Sequence, residues 1–273
     1  MLRNINISVN DLGAELTSVV LGGRQCLHQS DNIWKSQAPI LFPTIGASFE
    51  DTILVDGIHY PQKHHGFTRN VLFERVINKC NEVMLYLSSN PVTEKFYPYD
   101  FRMNASYKVN GSTLTVKNTV VNIDNKPIFF NFGYHPGFTL LEGTRLEDYS
   151  LEFEDYEENE SIVKCTDPLP LFENKTIHLK DSLFKEAAVV LKNLNSKAIY
   201  LLKGGEKILK FSFYSPFLGI WSRSETDKPF ICLEPWYGLP DRKYSGEISN
   251  RPNVICLPEA ESYDFSYQVE FYK

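Results

Sequence analysis

Hydrophobic and polar residues alternate along much of the chain. The alternation is clearest over residues 105–122, ASYKVNGSTLTVKNTVVN, where two alternating runs flank the dipeptide Asn110-Gly111. A period of two is typical of a β-strand with one buried and one exposed face, and an Asn-Gly pair favours a tight hairpin turn. The pattern therefore predicts a β-hairpin here.

Similar alternating runs recur between Gly, Asn, Asp and Pro residues, at 71–77, 82–89, 197–202, 207–215 and 264–272. Only residues 181–194, DSLFKEAAVVLKNL, are consistent with a helix, and their AVVL is equally consistent with a strand. Strands at short spacing, without alternating helices, favour an antiparallel sandwich or barrel. We predict an all-β fold, a large antiparallel β-sandwich. No stretch has the composition of a linker, so we expect one domain over residues 1–273.

The charge pattern excludes some partners. The 273 residues carry a formal net charge of −6, and no run of Lys or Arg forms a patch for a phosphate backbone. The N-terminus, MLRNINISVNDLGAEL, lacks the continuous apolar core of a signal peptide, and no later run is long enough to cross a bilayer. We therefore expect a cytoplasmic protein that binds neither nucleic acid nor membrane.

The sequence also gives no sign of a cofactor. Its five cysteines are scattered, odd in number and without a CxxC pair, which argues against a disulfide framework or a zinc site. No GxGxxG, P-loop or HExxH motif is present. The prediction is that the protein needs no metal and no nucleotide cofactor.

Four segments place titratable groups among aromatic and loop-forming residues: KHHGFTR (63–69), GYHPGF (133–138), ICLEPWYGLPD (231–241) and LPEAESYDF (257–265). Sugars have apolar ring faces that stack on aromatic side chains, and hydroxyls that need directional hydrogen bonds. This set of side chains therefore suits a small polyhydroxy substrate. Arg69, Glu234 and Trp236 are the candidate substrate-binding residues.

Each candidate has a structural alternative. His135, within an apolar stretch, is equally consistent with a hydrogen-bonded core histidine. Arg69 is consistent with an anchor for a nearby carboxylate. Glu234 is consistent with a strand-end carboxylate that binds backbone amides, with Trp236 filling the core. No single segment establishes a site.

Taken together, the segments resemble a known family. The motifs that carry the resemblance run through the whole chain: DLGAELTSV (11–19), IW followed by APILFPTIG (33–46), HGFTR (65–69), FYPYDF (96–101), FFNFGYHPGF (129–138), FLGIWS (217–222), FICLEPWYGLPD (230–241) and LPEAESYDFSYQVE (257–270). In this order and spacing the chain resembles the aldose 1-epimerase (galactose mutarotase-like) superfamily, and within it the bacterial LacX-like branch.

The resemblance implies a β-sandwich with a sugar site on its concave face and a cofactor-independent mutarotase. A glutamate near the C-terminus takes the proton of the anomeric hydroxyl, while a histidine protonates the ring oxygen. Carried onto this sequence, the base corresponds to Glu261 and the acid to His135. His65 assists beside the ring oxygen, and Arg69 orients substrate hydroxyls or the carboxylates of the site.

The chain departs from the family pattern at two points. Relatives commonly carry an arginine where Ala47 follows Gly46 here, and Ala260 replaces the glycine that precedes the proposed base. The first departure removes a substrate anchor, so it leaves the class of sugar open.

Several functions remain open at this point. The leading hypothesis is an aldose 1-epimerase acting on an aldohexose or a derivative, with a small sugar as its only partner and a monomeric or homodimeric state. A non-catalytic carbohydrate-binding or regulatory protein is the alternative from another class. A hexose-6-phosphate 1-epimerase would need cationic groups at the cleft, and Arg69 is the only obvious one. A glycoside hydrolase or lyase domain fits less well, because such domains usually belong to longer chains.

Overall fold

The protein is built almost entirely of β-strands. The structure is a computed structural model that describes residues 4–158, 162–165, 167, 170–223 and 229–272. Within these residues the strands are β1 (Ile5–Val9), β2 (Leu16–Leu21), β3 (Arg24–Gln25), β4 (Ile40–Leu41), β5 (Thr52–Val55), β6 (Ile58–Pro61), β7 (Glu74–Lys79), β8 (Glu82–Ser88), β9 (Phe101–Asn110), β10 (Thr113–Asn122), β11 (Ile128–Phe130), β12 (Phe132–Tyr134), β13 (Gly137–Thr139), β14 (Tyr149–Phe153), β15 (Ile162–Lys164), β16 (Thr176–His178), β17 (Val189–Lys192), β18 (Ala198–Lys203), β19 (Glu206–Phe213), β20 (Phe217–Trp221), β21 (Phe230–Tyr237), β22 (Ile255–Leu257) and β23 (Ser262–Phe271).

Helical structure in the described part of the chain is limited to short 3₁₀ turns, at Phe49–Asp51, Thr68–Asn70, Leu146–Asp148, Asp181–Phe184 and Ile248–Asn250. The ambiguous segment 181–194 contains one of these turns and then strand β17. Its β-branched Val189 and Val190 favour a strand, and β17 pairs with β20.

The strands form two large antiparallel sheets. One has nine strands in the order β16-β14-β18-β19-β23-β10-β9-β8-β7. The other has seven, in the order β15-β17-β20-β21-β12-β4, with β13 also paired to β21. Smaller sheets are formed by β1-β2-β3, by β5-β6 and by β11-β22. The predicted hairpin is present, since β9 and β10 pair on either side of Gly111. The prediction of an all-β antiparallel sandwich is confirmed.

Side chains of β12 connect the two large sheets. The Phe132 ring stacks on Phe265 of β23 with centroids 4.0 Å apart, and the Tyr134 hydroxyl donates to the Phe265 carbonyl at 2.9 Å. Because successive side chains of a strand point to opposite faces, Gly133 lies on the other face of the seven-stranded sheet. That face is the one that carries the candidate site.

Strand β21 is buried on both faces, which explains why its sequence, FICLEPWY, does not alternate. Ile231, Leu233 and Tyr237 belong to the main hydrophobic core. Cys232, Glu234 and Trp236 point the opposite way. The sheet therefore presents a carboxylate and an indole on the face away from the core.

No helix among the described residues is long and apolar enough to cross a membrane.

Candidate functional site

A cavity of about 780 Å³ lies over the face of the seven-stranded sheet that carries Glu234 and Trp236. Five of the six residues predicted from the sequence line it: His65, Arg69, His135, Glu234 and Trp236. They come from three separate regions of the chain, so the fold assembles one site from the motifs.

Two glycines make room for this site. Gly219 of β20 lies opposite Glu234, and a Cβ placed on it would lie 2.9 Å from the Trp236 ring and 3.2 Å from the Glu234 Cβ. A Cβ on Gly137 would overlap the ring of Trp34. The first glycine lets Trp236 and Glu234 lie side by side, and the second admits Trp34 to the site.

Three rings fix the orientation of His135, which lies at the end of β12. Its imidazole is 5.0 Å from Trp34, 5.6 Å from Trp221 and 5.4 Å from His65, measured between ring centroids. Its backbone N–H donates to the Pro39 carbonyl at 3.2 Å. Both Trp34 and Trp221 line the cavity, although the sequence analysis did not single them out as site residues. Their place within the motifs IW and FLGIWS was the available signal.

The central contact of the site joins His135 and Glu234. His135 Nε2 lies 3.2 Å from Glu234 Oε2, and the two side chains are 9% and 1% exposed. An imidazole and a carboxylate at this distance can exchange a proton directly.

Burial changes the resting protonation of both groups. It lowers the pKa of His135 to about 3, and the positive charge of Arg69 acts in the same direction. Burial raises the pKa of Glu234 well above its usual value, and the neighbouring indole N–H of Trp236 opposes this rise only in part. Both shifts disfavour the charged forms, so the pair favours a carboxylic acid beside a neutral imidazole over an ion pair.

His65 is held by a reciprocal pair of hydrogen bonds with Gly46. The Gly46 N–H donates to His65 Nδ1 at 3.0 Å, and the His65 N–H donates to the Gly46 carbonyl at 2.7 Å. Since Nδ1 accepts a hydrogen bond, the ring proton of the neutral imidazole is on Nε2. Burial lowers the pKa of His65 well below its usual value, so the ring stays neutral and offers an N–H donor.

Glu261 does not lie in this site. Its side chain is exposed, it is not among the residues that line the cavity, and it immediately precedes β23 of the other large sheet. The backbone carbonyl of Glu261 accepts a hydrogen bond from Asn122, which ties this position to β10. Ala260 before it has a φ of 60°, the left-handed region that a glycine favours. The assignment of the base to Glu261 is therefore corrected, because Glu234 is the carboxylate beside His135.

The same region has the donors for a metal ion. One ligand atom from each of His135, Cys232 and Glu234 lies within 4.8 Å of the others, and all three residues are buried. An ion bound here would occupy His135 Nε2 or the Glu234 carboxylate, which are the groups that exchange the proton. Metal binding and proton exchange would therefore compete.

Comparison with known proteins identifies the family of the chain. The family model for aldose 1-epimerase matches residues 2–246. The chain belongs to the aldose 1-epimerase family. It is 32% identical to the chromosomal LacX protein of Lactococcus lactis subsp. lactis, over 97% of this chain and 96% of that protein. The resemblance seen in the motifs is confirmed.

Solved structures of aldose 1-epimerase relatives share the whole fold. A galactose mutarotase related enzyme from Lactobacillus acidophilus superposes with a TM-score of 0.87 at 26% identity, over 99% of this chain and 95% of that one. A galactose mutarotase-like protein from Lactobacillus casei ATCC 334 gives 0.88 at 25% identity, over 98% and 97%. The fold is galactose mutarotase-like, and the family supports a sugar epimerase or mutarotase function.

Proposed function

We propose that this aldose 1-epimerase family member interconverts the α and β anomers of an aldohexose or a derivative by opening and closing the sugar ring. The observation that carries the proposal is the buried His135–Glu234 pair beside a cavity large enough for a sugar. The reaction must move one proton off the anomeric hydroxyl and one proton onto the ring oxygen.

The spacing of the pair suits those two oxygens. In a cyclic sugar the ring oxygen and the anomeric hydroxyl oxygen are bonded to the same carbon. One acid and one base whose reactive atoms lie 3.2 Å apart can therefore address both oxygens at once. A base on another sheet could not.

The single proton of the pair accounts for ring opening. Transfer of that proton from Glu234 to His135 produces a carboxylate and an imidazolium. The carboxylate takes the proton of the anomeric hydroxyl while the imidazolium gives its proton to the ring oxygen, and the bond between the anomeric carbon and the ring oxygen breaks. An open-chain aldehyde forms, and the pair returns to its resting state.

Ring closure uses the same groups in reverse. After rotation about the C1–C2 bond, the other face of the aldehyde meets the sugar hydroxyl that becomes the ring oxygen. His135 takes the proton of this hydroxyl as it attacks, and Glu234 gives its proton to the aldehyde oxygen. The opposite anomer forms with no net gain or loss of protons. A positioned acid and base of this kind contribute about 10²–10⁴-fold in rate.

The remaining cavity residues have binding roles in this proposal. His65 donates from Nε2 to an oxygen near the reacting centre, and Arg69 orients hydroxyls. Trp34, Trp221 and Trp236 provide ring faces for the apolar side of a pyranose. His135 and Glu234 are the acid and base.

NMR exchange spectroscopy with the purified protein and a panel of aldoses tests the proposal. The expected result is exchange between anomer signals faster than the uncatalysed rate for at least one sugar, whether free or phosphorylated. Saturable sugar binding without faster exchange would replace the proposal with a carbohydrate-binding function. Absence of both binding and faster exchange with every sugar would reject the mutarotase function and the carbohydrate-binding function.

A further inference from the structure

The charges around the cavity are opposite in sign to those of the protein as a whole. The chain carries 28 basic and 34 acidic residues. The cavity lining contains four cationic side chains and two carboxyl groups, and one of the latter is Glu234, whose pKa is raised by burial. The cationic side chains are Arg69, Lys164, Arg223 and Arg242. This excess of positive charge suits an anionic substrate better than a neutral one.

Two of the arginines that line the cavity, Arg69 and Arg242, act electrostatically on the same residue, His64, and we call them the arginine pair. Arg69 follows the His65 motif in the 3₁₀ turn Thr68–Asn70. Arg242 belongs to the loop after β21, and this loop packs on Gly46, where an added Cβ would lie 2.6 Å from the Pro240 Cβ. Both positive charges act on His64, whose pKa is lowered first by burial and then by Arg69 and Arg242. The pair and His64 therefore surround one small region.

The arginine pair is not neutralised by the protein. Among the described residues, no carboxylate lies within ion-pair distance of either arginine. Glu15, which acts electrostatically on Arg69, accepts from the backbone N–H groups of Gln37 and Ala38, and Asp241 accepts from those of Lys243 and Tyr244. The negative charge of Asp51 also acts on His64 and opposes the effect of the two arginines. The Arg69 Nε–H is buried and has no hydrogen-bond partner in the described part of the chain. The Arg69 Nη2 group donates to the His64 carbonyl at 3.3 Å, so the guanidinium lies against His64.

We propose that the substrate of this site is an aldose phosphate, and that its phosphate group binds the arginine pair beside His64. The proposal rests on the proposed function, which it narrows to one class of sugar. A phosphate monoester carries about −1.5 to −2 charges at pH 7 and offers three acceptor oxygens, which suits two guanidinium groups better than a single carboxylate does. The ester is not on the anomeric oxygen, because the reaction needs a free hydroxyl there.

This substrate class answers a question that the sequence left open. The motifs offered Arg69 alone as a cation for a phosphate. The structure adds Arg242 beside Arg69, and places Lys164 and Arg223 elsewhere on the same cavity. Arg242 was not recognisable from the sequence, because it lies beyond the end of the FICLEPWYGLPD motif in an otherwise ordinary polar loop.

The test compares free glucose and galactose with their 6-phosphates and with glucuronate by NMR exchange, after subtraction of each uncatalysed rate. We expect kcat/KM at least about tenfold higher for the phosphates, with an advantage that shrinks as salt is added. In Arg242→Ser, the ratio of kcat/KM for the phosphate to that for the free sugar should fall about tenfold. Arg102→Ser, which removes an exposed arginine of β9 outside the cavity, is the matched control and should leave the ratio unchanged.

A second readout does not depend on turnover. Binding of glucose 6-phosphate places negative charge beside His64, so the pKa of His64 measured by NMR titration should rise, and the rise should be smaller in Arg242→Ser. Equal kcat/KM for free and phosphorylated sugars with an unmoved His64 would overturn this inference and leave the mutarotase proposal intact. A preference for glucuronate over the phosphates would also overturn it. Absence of turnover on every sugar would reject the mutarotase proposal, and the His64 titration would then decide whether the site binds sugar phosphates.

Discussion

His135 Nε2 lies 3.2 Å from Glu234 Oε2, in a buried contact between the end of β12 and the middle of β21. Both strands belong to the seven-stranded sheet, where they are direct neighbours. Hydrogen bonding between the strands therefore fixes the distance between the proposed acid and base. The catalytic geometry is a property of the sheet and not of a loop.

The first prediction concerns the pH dependence of catalysis. The His135–Glu234 pair holds one proton at pH values between the lowered pKa of His135, about 3, and the raised pKa of Glu234. We therefore expect kcat/KM to stay level to a pH above the ordinary glutamate pKa and to fall at higher pH, where Glu234 loses its proton. NMR exchange rates from pH 4 to 10 measure this profile. A maximum confined between the ordinary glutamate and histidine values, about 4.3 and 6.5, would show that burial has not shifted the pair.

The second prediction concerns stability. In the unfolded chain Glu234 ionises at its ordinary pKa, whereas in the folded protein it keeps its proton to higher pH. Between those two values the folded state binds more protons, so the contribution of Glu234 to stability is lost as the pH rises. Glutamine cannot ionise and avoids this loss. The free energy of unfolding of Glu234→Gln minus that of the wild type should therefore increase with pH, by at most about 1.4 kcal/mol per pH unit.

Urea unfolding between pH 4 and pH 9 measures that difference. Glu261→Gln, which changes an exposed carboxylate outside the cavity, is the matched control. A difference for Glu234→Gln that does not grow with pH over this range would mean that the Glu234 carboxyl ionises as readily in the folded protein as in water.

The third prediction separates the two nitrogens of His65. Asparagine places an amide near the position of Nδ1, while glutamine reaches the position of Nε2 and keeps a donor there. Because the proposal assigns the donor to Nε2, His65→Asn should lose about 10²-fold in kcat/KM and His65→Gln should lose less. The backbone at His65 has a φ of 68°, which asparagine tolerates better than glutamine does, so strain would produce the opposite order. Equal losses would remove the assigned role of Nε2.

The fourth prediction concerns cooperation within the pair. Since His135 and Glu234 act on the two oxygens of one carbon in a single step, removing either group should cost nearly as much as removing both. We expect His135→Asn and Glu234→Gln each to lower kcat about 10²–10⁴-fold. The kcat of the double variant should be only slightly lower than that of the less active single variant. Steady-state NMR exchange of all three variants tests this expectation. Additive losses in the logarithm of kcat would indicate that the two residues act independently.

The fold was largely predictable from the sequence. Alternation identified strands such as β9 and β10, and the Asn-Gly turn identified their hairpin. The buried strand β21 was harder, because a strand covered on both faces does not alternate. Its pairing with β20, opposite Gly219, depends on contacts distant in sequence. The prediction of one domain stays a prediction.

The candidate site was predictable only in part. His65, Arg69, His135, Glu234 and Trp236 were singled out because they lie among aromatic and loop-forming residues. The position of Glu261 outside the cavity could not be predicted, since a carboxylate in a surface turn and one on a buried strand look alike in a sequence until the sheet register is known. The pKa shifts depend on burial in three dimensions, so the resting location of the shared proton could not be predicted either.

The most direct test of the account compares Glu234→Gln with Glu261→Gln, both of which change one carboxylate to an amide of the same shape. Each purified variant is assayed by NMR exchange with the best sugar found for the wild type, and sugar binding is measured alongside. The account predicts that Glu234→Gln loses about 10²–10⁴-fold in kcat while still binding sugar, and that Glu261→Gln stays within about twofold of the wild type. Loss of turnover in Glu261→Gln together with full activity in Glu234→Gln would contradict it.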